Sequence, residues 1–552
     1  MINRAALNPS LNPSLNPSVT RPMARVGRPL YLLGAAMLLL VLQLLSGTGP
    51  IYALLVFTLL VVAYFAVRWA GGLETLFGIA IFYLLLQHVL ISQIAKVFFW
   101  EPADAPLRQP IVTMGVYVVG MASLAVGVRL ANRFRLRGRP LFPAETRPSR
   151  LLWLSILCTI FSTLLVLALK TVGTDVQTGG AIQGGVLGPL KQIALFGPLA
   201  IAAGTAYMIK TSGGRRSFGL VNGIPIVVQI VAAILGANRE ASVTPVIIYV
   251  LTCIAFRYRF HPKHYALLFA GAYIANFIIF PYALIARNVV RTGVFEENVR
   301  RSASMMADII QNPVKYREQV GSIDARRSRN LTQFDYYNHS QPTLNRYSII
   351  VWTDAIVDAT INRGTTGWET ITPGFEASLP RFLNPDKPYT MTGNFLAHRE
   401  PGLMPNKHDR TTGITVGFFA DAFSSFEWLG ICVIPCLVIF CLMTIYRLLI
   451  DDRIWGNVLM LSLLIQITWE FSEAAIADMI LLCLVGALAS IVGLTVLYIL
   501  VYALDKVTDR VRHVWIASLH PRHEALQRSR VTNPHAGRLL GTKRSGPPSQ
   551  SL

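Results

Sequence analysis

The residues best suited to chemistry are a few cations and carboxylates set beside very apolar runs. Arg239 lies in GANRE (236–240), a short polar turn between two such runs. An arginine this close to a bilayer is costly unless paired or solvated, which marks it for function. The plainer reading is an interfacial arginine paired with Glu240. Arg381 and Lys387 lie in ASLPRFLNPDKPYTMTGNF (377–395), where Pro380, Pro385 and Pro388 oppose helix and set rigid turns. That geometry would hold two cations in fixed directions, as a phosphate site requires; a surface loop with solvated charges fits the spacing as well. Asp421 stands alone in the apolar stretch TTGITVGFFADAFSSFEWLGI (411–431) and is expected to need a cation, the arginines being the candidates. Glu470 and Glu473, three apart in WEFSEAAIAD (469–478), share a helix face and could position an acceptor hydroxyl or serve as interfacial charges.

These residues need a scaffold, and composition gives its class. The 552 residues are 53% hydrophobic and 14% charged, with a mean hydropathy of +0.48. A soluble protein carries about 25% charged residues, so the expected fold is an all-α polytopic integral membrane protein. A span takes about 20 apolar residues, which gives about twelve transmembrane helices, nine in residues 30–285 and three in 413–503. Before them lie residues 1–29, read as a disordered N-terminus carrying three tandem LNPS repeats. After them lies a basic tail, 504–552, given no chemistry beyond contact with anionic lipid. Between the two groups of spans comes one long polar stretch, 286–412, which the last residues of the ninth span lead into.

Residues 285–412 carry 16 Lys/Arg and 13 Asp/Glu, with Trp352, Trp368 and several tyrosines between them. Connections of this length are usually functional or disordered, and the recurring aromatics and aliphatics favour a folded cap. The net charge of +21 is concentrated in short segments beside the apolar runs, such as Arg129–Arg150. That is the signature of cytoplasmic loops rather than of a nucleic-acid footprint. Both termini are therefore expected in the cytoplasm and the cap on the opposite face.

All six cysteines fall inside apolar runs, where each is expected to act as a small buried filler. No His/Cys/Asp cluster has metal-ligand spacing and no Asp-x-Asp pair occurs in the cap. The reading thus calls for no metal and no cofactor.

The segment PRFLNPDKPYTMTGNF followed by TGITVGFFADAFSSFEWLGI resembles the bacterial oligosaccharide repeat-unit polymerases, the Wzy-type O-antigen polymerases. In that family a proline–arginine element and a Pro-x-Lys-Pro element lie in the large periplasmic loop. A Thr/Gly-rich re-entry with an acidic residue then leads into the next span. NRYSIIVWTDAIVDAT, with Arg346, and the GANRE turn, with Arg239, also resemble family positions, so the likeness covers roughly residues 230–432. One departure is Glu427, where the family tends to have glycine.

The resemblance implies a GT-C-like inverting transferase of the inner membrane. It would join undecaprenyl-diphosphate-linked repeat units on the periplasmic face into O-antigen, capsule or exopolysaccharide. Arg239, Arg381 and Asp421 would be catalytic, and Arg346, Lys387, Arg287, Glu470 and Glu473 would bind substrate. Arginines would replace a divalent cation against the diphosphate. The implied partners are the lipid-linked glycan donor and acceptor, membrane lipids and a chain-length regulator, with no nucleic acid. Two rivals remain. An O-antigen ligase, transferring glycan to lipid A core, shares the architecture, and His398 and His408 leave room for it. A repeat-unit transporter would show internal repeats and mid-span charges, whereas the spans here offer only His88, Gln87 and Gln93.

Overall fold

The computed structural model describes residues 29–134, 140–171, 195–236, 238–289, 295–316, 318–320, 335–338, 348–380, 383–384, 392–399 and 416–531. In chain order the helices are α1 (Pro29–Leu45), α2 (Pro50–Ala70), α3 (Leu76–Leu85), α4 (Ile91–Phe98), α5 (Pro110–Arg133), α6 (Pro148–Thr171), α7 (Phe196–Thr211), α8 (Leu220–Leu235), α9 (Arg239–Ala255), α10 (Pro262–Ile274) and α11 (Phe280–Val289). The polar stretch contributes α12 (Phe295–Gln311), α13 (Ile349–Arg363), α14 (Thr372–Ser378) and α15 (Thr392–Arg399). Then follow α16 (Phe418–Leu449), α17 (Val458–Glu473), α18 (Ile476–Leu481) and α19 (Ala487–Val531). One-turn π segments join α3 to α4, α10 to α11 and α18 to α19. Among the described residues seven helical stretches are long and apolar enough to cross a membrane, and Tyr31–Leu45 and Leu220–Leu235 are shorter apolar helices. The chain is a helical, multi-pass membrane protein.

The starts of these helices follow from local sequence. Pro50, Pro110 and Pro262 open α2, α5 and α10, where a missing N–H costs nothing and the fixed φ suits a helix. Asn238 caps α9 by accepting a hydrogen bond from the Ala241 amide at 3.2 Å. The core is built mainly by α5 against α16 and α2, by α3 against α17, and by α6 against α7. The α5–α16 approach depends on Gly127, because a Cβ there would lie 2.4 Å from the Cys436 carbonyl oxygen.

α19 runs on as helix through the first part of the basic tail, to Val531. Two sequence expectations change. Cys158 and Cys253 are buried, but Cys432 and Cys441 are exposed on the bundle surface, where lipid can cover apolar side chains. The helix expected over 414–446 is two helices in α16, broken at Phe426 (φ −144°, ψ 29°) and Glu427 (φ 50°, ψ −131°). The residues before the break, Phe418–Ser425, are all buried, and Glu427–Leu429 are exposed.

Glu427 thus holds a backbone geometry that glycine adopts without strain, at a cost of about 1–3 kcal/mol. Glu427→Gly is expected to stabilise the protein by about 1 kcal/mol or more, read as a higher unfolding temperature in detergent. Glu427→Ala keeps the Cβ and should bring no such gain. A destabilised Glu427→Gly protein would mean that the glutamate side chain, not the turn, holds this break.

Candidate functional site

The helix ends nearest the polar stretch form one face of the bundle, termed here the cap end. The opposite, basic end gathers Arg447, which donates to Asn132 and pairs with Asp452 at 2.8 Å, and Arg150, which pairs with Asp505 at 2.7 Å and Glu145 at 3.3 Å.

At the cap end α13 docks onto the start of α5. Asp354 Oδ2 accepts the Arg108 amide at 2.6 Å, and Oδ1 accepts the Gln109 amide at 3.0 Å and the Thr113 hydroxyl at 2.7 Å. The carboxylate therefore caps α5 from another element, satisfying amides that a helix start leaves unpaired. Asp358, one turn on, accepts from the Gln109 side chain at 3.0 Å. Burial pushes the Asp354 carboxyl above the usual range, opposed by the donors around it. The pair at 354 and 358 was readable as an i,i+4 acidic face in an otherwise apolar segment, yet the sequence reading passed over it.

A second chain of hydrogen bonds ties α13 to α17. Thr353 Oγ1 lies 2.7 Å from the Tyr117 hydroxyl, which lies 3.3 Å from His88 Nδ1, and His88 Nε2 lies 2.6 Å from the Ser472 carbonyl oxygen. A carbonyl only accepts, so Nε2 carries the proton and Nδ1 accepts from Tyr117 in the neutral ring. His88 also shapes the re-entry. Gly417 has φ +85°, and a Cβ there would lie 2.6 Å from His88 Cε1. Expected only as an isolated polar residue within a span, His88 proves to be a joint between three elements.

Asp421 stands in the first turn of α16. It is fully buried, and its Oδ2 accepts the Ile476 amide at 2.7 Å, capping α18. Among the described residues its partner is thus a helix start rather than an arginine. The broken end of its own short helix is met from the polar stretch. Thr366 and Gly367 donate their amides to Ser424 O at 2.8 Å and Ser425 O at 3.0 Å. Gly374 on α14 lies directly against Ala477, where a Cβ would come within 2.7 Å of its Cα.

A third contact is the buried pair Lys96–Glu101, at 2.7 Å, with Lys96 1% exposed. Its ammonium lies 4.8 Å from the centre of the Tyr336 ring. The Tyr336 hydroxyl donates to Ala103 O at 2.7 Å and accepts from Gln93 at 3.1 Å. A lysine five residues before a glutamate at the end of an apolar run was the available signal, and it was missed.

The predicted residues that converge do so at the α9 and α17 ends. Arg239 is the first residue of α9 and is half-buried. α9 packs on α17, and Glu470 and Glu473 in the last turn of α17 lie near enough for their charges to act on Glu240. Glu473 Oε1 also accepts from Gln87 Nε2 at 3.1 Å. Glu240, next to Arg239 in sequence, is therefore brought near Glu470 and Glu473, and Arg239 opens α9 at a helix N-terminus, where anions are favoured. Arg346, Arg381 and Lys387, and the side chain of Arg287, lie outside the described residues. Chemically, the cluster can offer a guanidinium to an anion and carboxylates to a hydroxyl. No protein-family model, no curated protein and no solved structure matches this chain.

Proposed function

We propose that this chain is an inner-membrane glycosyltransferase that polymerises undecaprenyl-diphosphate-linked oligosaccharide repeat units on the periplasmic face, its termini in the cytoplasm. The observation that carries the reading is the approach of Glu240, next to Arg239 at the start of α9, to Glu470 and Glu473 at the end of the bundle on which α13 docks. The acceptor sugar hydroxyl attacks the anomeric carbon of the donor. The carbon–oxygen bond to the diphosphate breaks, and the diphosphate leaves with the electron pair. Negative charge grows on the leaving oxygens, and preorganised guanidinium groups answer it; Arg239 does so together with Arg381 and Arg346. Glu470 and Glu473 hold the acceptor sugar through its hydroxyl groups, and one of these carboxylates takes the proton of the attacking hydroxyl as the new bond forms.

Reconstituted with a single species of lipid-linked repeat unit, the protein is expected to build a ladder of chain lengths, and to do so in EDTA. Transfer seen only when lipid A core is supplied would identify a ligase instead. Activity lost on chelation and restored by magnesium or manganese would show that a metal does what is here assigned to arginine.

A further inference from the structure

We infer that the basic end of the bundle holds a binding groove for one anionic glycerophospholipid, between α19 and the strip Leu141–Pro143. The cavity encloses about 630 Å³. Its helical wall is Thr495, Tyr498, Ile499, Tyr502 and Lys506, at i, i+3, i+4, i+7 and i+11 and so lying on one face of α19. The opposite wall is fixed in place. The Tyr498 hydroxyl donates to Pro143 O at 3.1 Å, Phe142 packs on the Tyr498 ring at 5.5 Å, and Phe142 bridges to Ile450.

Beyond Thr495 the wall runs from Tyr498 and aliphatic Ile499, 62% exposed, through Tyr502 to the exposed Lys506, so apolar and aromatic side chains end in one cation as acyl chains end in a headgroup. Aromatic side chains of this kind settle where hydrocarbon gives way to headgroup. From residue 495 to 506 a helix rises roughly 16 Å, about the depth of one leaflet of a hydrocarbon core roughly 30 Å thick.

Charge selects an anionic occupant. Arg150 stacks over Tyr502 at 3.8 Å, but its charge is engaged by Asp505 and Glu145. Lys506 forms no ion pair among the described residues, which leaves its ammonium for a lipid phosphate at the groove mouth. A neutral peptide or a second apolar surface would leave that charge unanswered.

The test is native mass spectrometry of the full-length protein in neutral detergent, titrated with equal amounts of phosphatidylglycerol and phosphatidylcholine. One phosphatidylglycerol should be retained about fivefold more strongly, the value of one cation near an anionic headgroup. The preference should survive Lys506→Arg and vanish in Lys506→Met, while Lys263→Met, an exposed cation at the same end, leaves it intact. Soluble glycerol phosphate should not displace the lipid, because the acyl chains supply the rest of the binding. Equal retention of the two lipids by the unmodified protein would overturn the proposal, as would a preference unchanged in Lys506→Met. Displacement by glycerol phosphate, or a dimer abolished by Ala503→Trp in place of bound lipid, would overturn it too.

Discussion

Arg239→Ala and Arg381→Ala are each expected to abolish long glycan chains while single repeat units still accumulate, with the protein present at near-normal levels. Diphosphate departure creates anionic charge that grows toward the transition state, so a donor placed there acts chiefly on rate. Losing one such donor typically costs on the order of 100- to 1000-fold. Arg239→Lys should rescue poorly, since lysine keeps the charge but loses the planar fork that grips two oxygens. Arg363→Ala and Arg410→Ala, arginines outside the family-like motifs, should be mild. The readout is the ladder of chain lengths for all the variants side by side. Four alanine variants that behave alike, whether dead or active, would mean that these arginines are interchangeable surface charge.

Asp354→Ala is expected to loosen the joint between the polar stretch and the bundle. The change strips two amides, of Arg108 and Gln109, and the Thr113 hydroxyl of their acceptor. A buried donor left without a partner costs about 1–3 kcal/mol, so a loss of several kcal/mol is expected, most of it local. Hydrogen exchange should accelerate in Ile349–Arg363 and at the start of α5, and chain growth should fall with it. Asp354→Asn keeps one acceptor oxygen and should land between the two. If α13 keeps its protection in Asp354→Ala, the carboxylate does not hold it down. The remaining contacts, through Thr353–Tyr117–His88, would then carry the joint.

What was legible in the chain was what hydropathy and proline record. The apolar runs set the helices, and Pro50, Pro110 and Pro262 set their starts. The approach of the α9 start, with Arg239 and Glu240, to Glu470 and Glu473 was half legible. Each was singled out from its place at the edge of an apolar run, but their convergence depends on α9 packing against α17, a long-range contact with no local signature. At Asp421 a lone carboxylate in an apolar run suggests a charged partner. Two adjacent helix starts can meet the same need with backbone amides, and Ile476 does. Glu427 is a different lesson. A glutamate stands there at positive φ, so the turn is kept and the strain accepted. The roles of His88 and Asp354 were not legible because their partners lie hundreds of residues away in sequence.

The most direct measurement of the central claim is the stoichiometry of the reconstituted reaction. Purified full-length protein in liposomes is supplied with one lipid-linked repeat unit, labelled in the sugar and in the diphosphate, with no nucleotide sugar present. The account predicts one undecaprenyl diphosphate released for every repeat unit joined, with the products forming a regular ladder and Arg239→Ala slowing both signals together. Glycan growth without diphosphate release, or growth only when a nucleotide sugar is added, would contradict it.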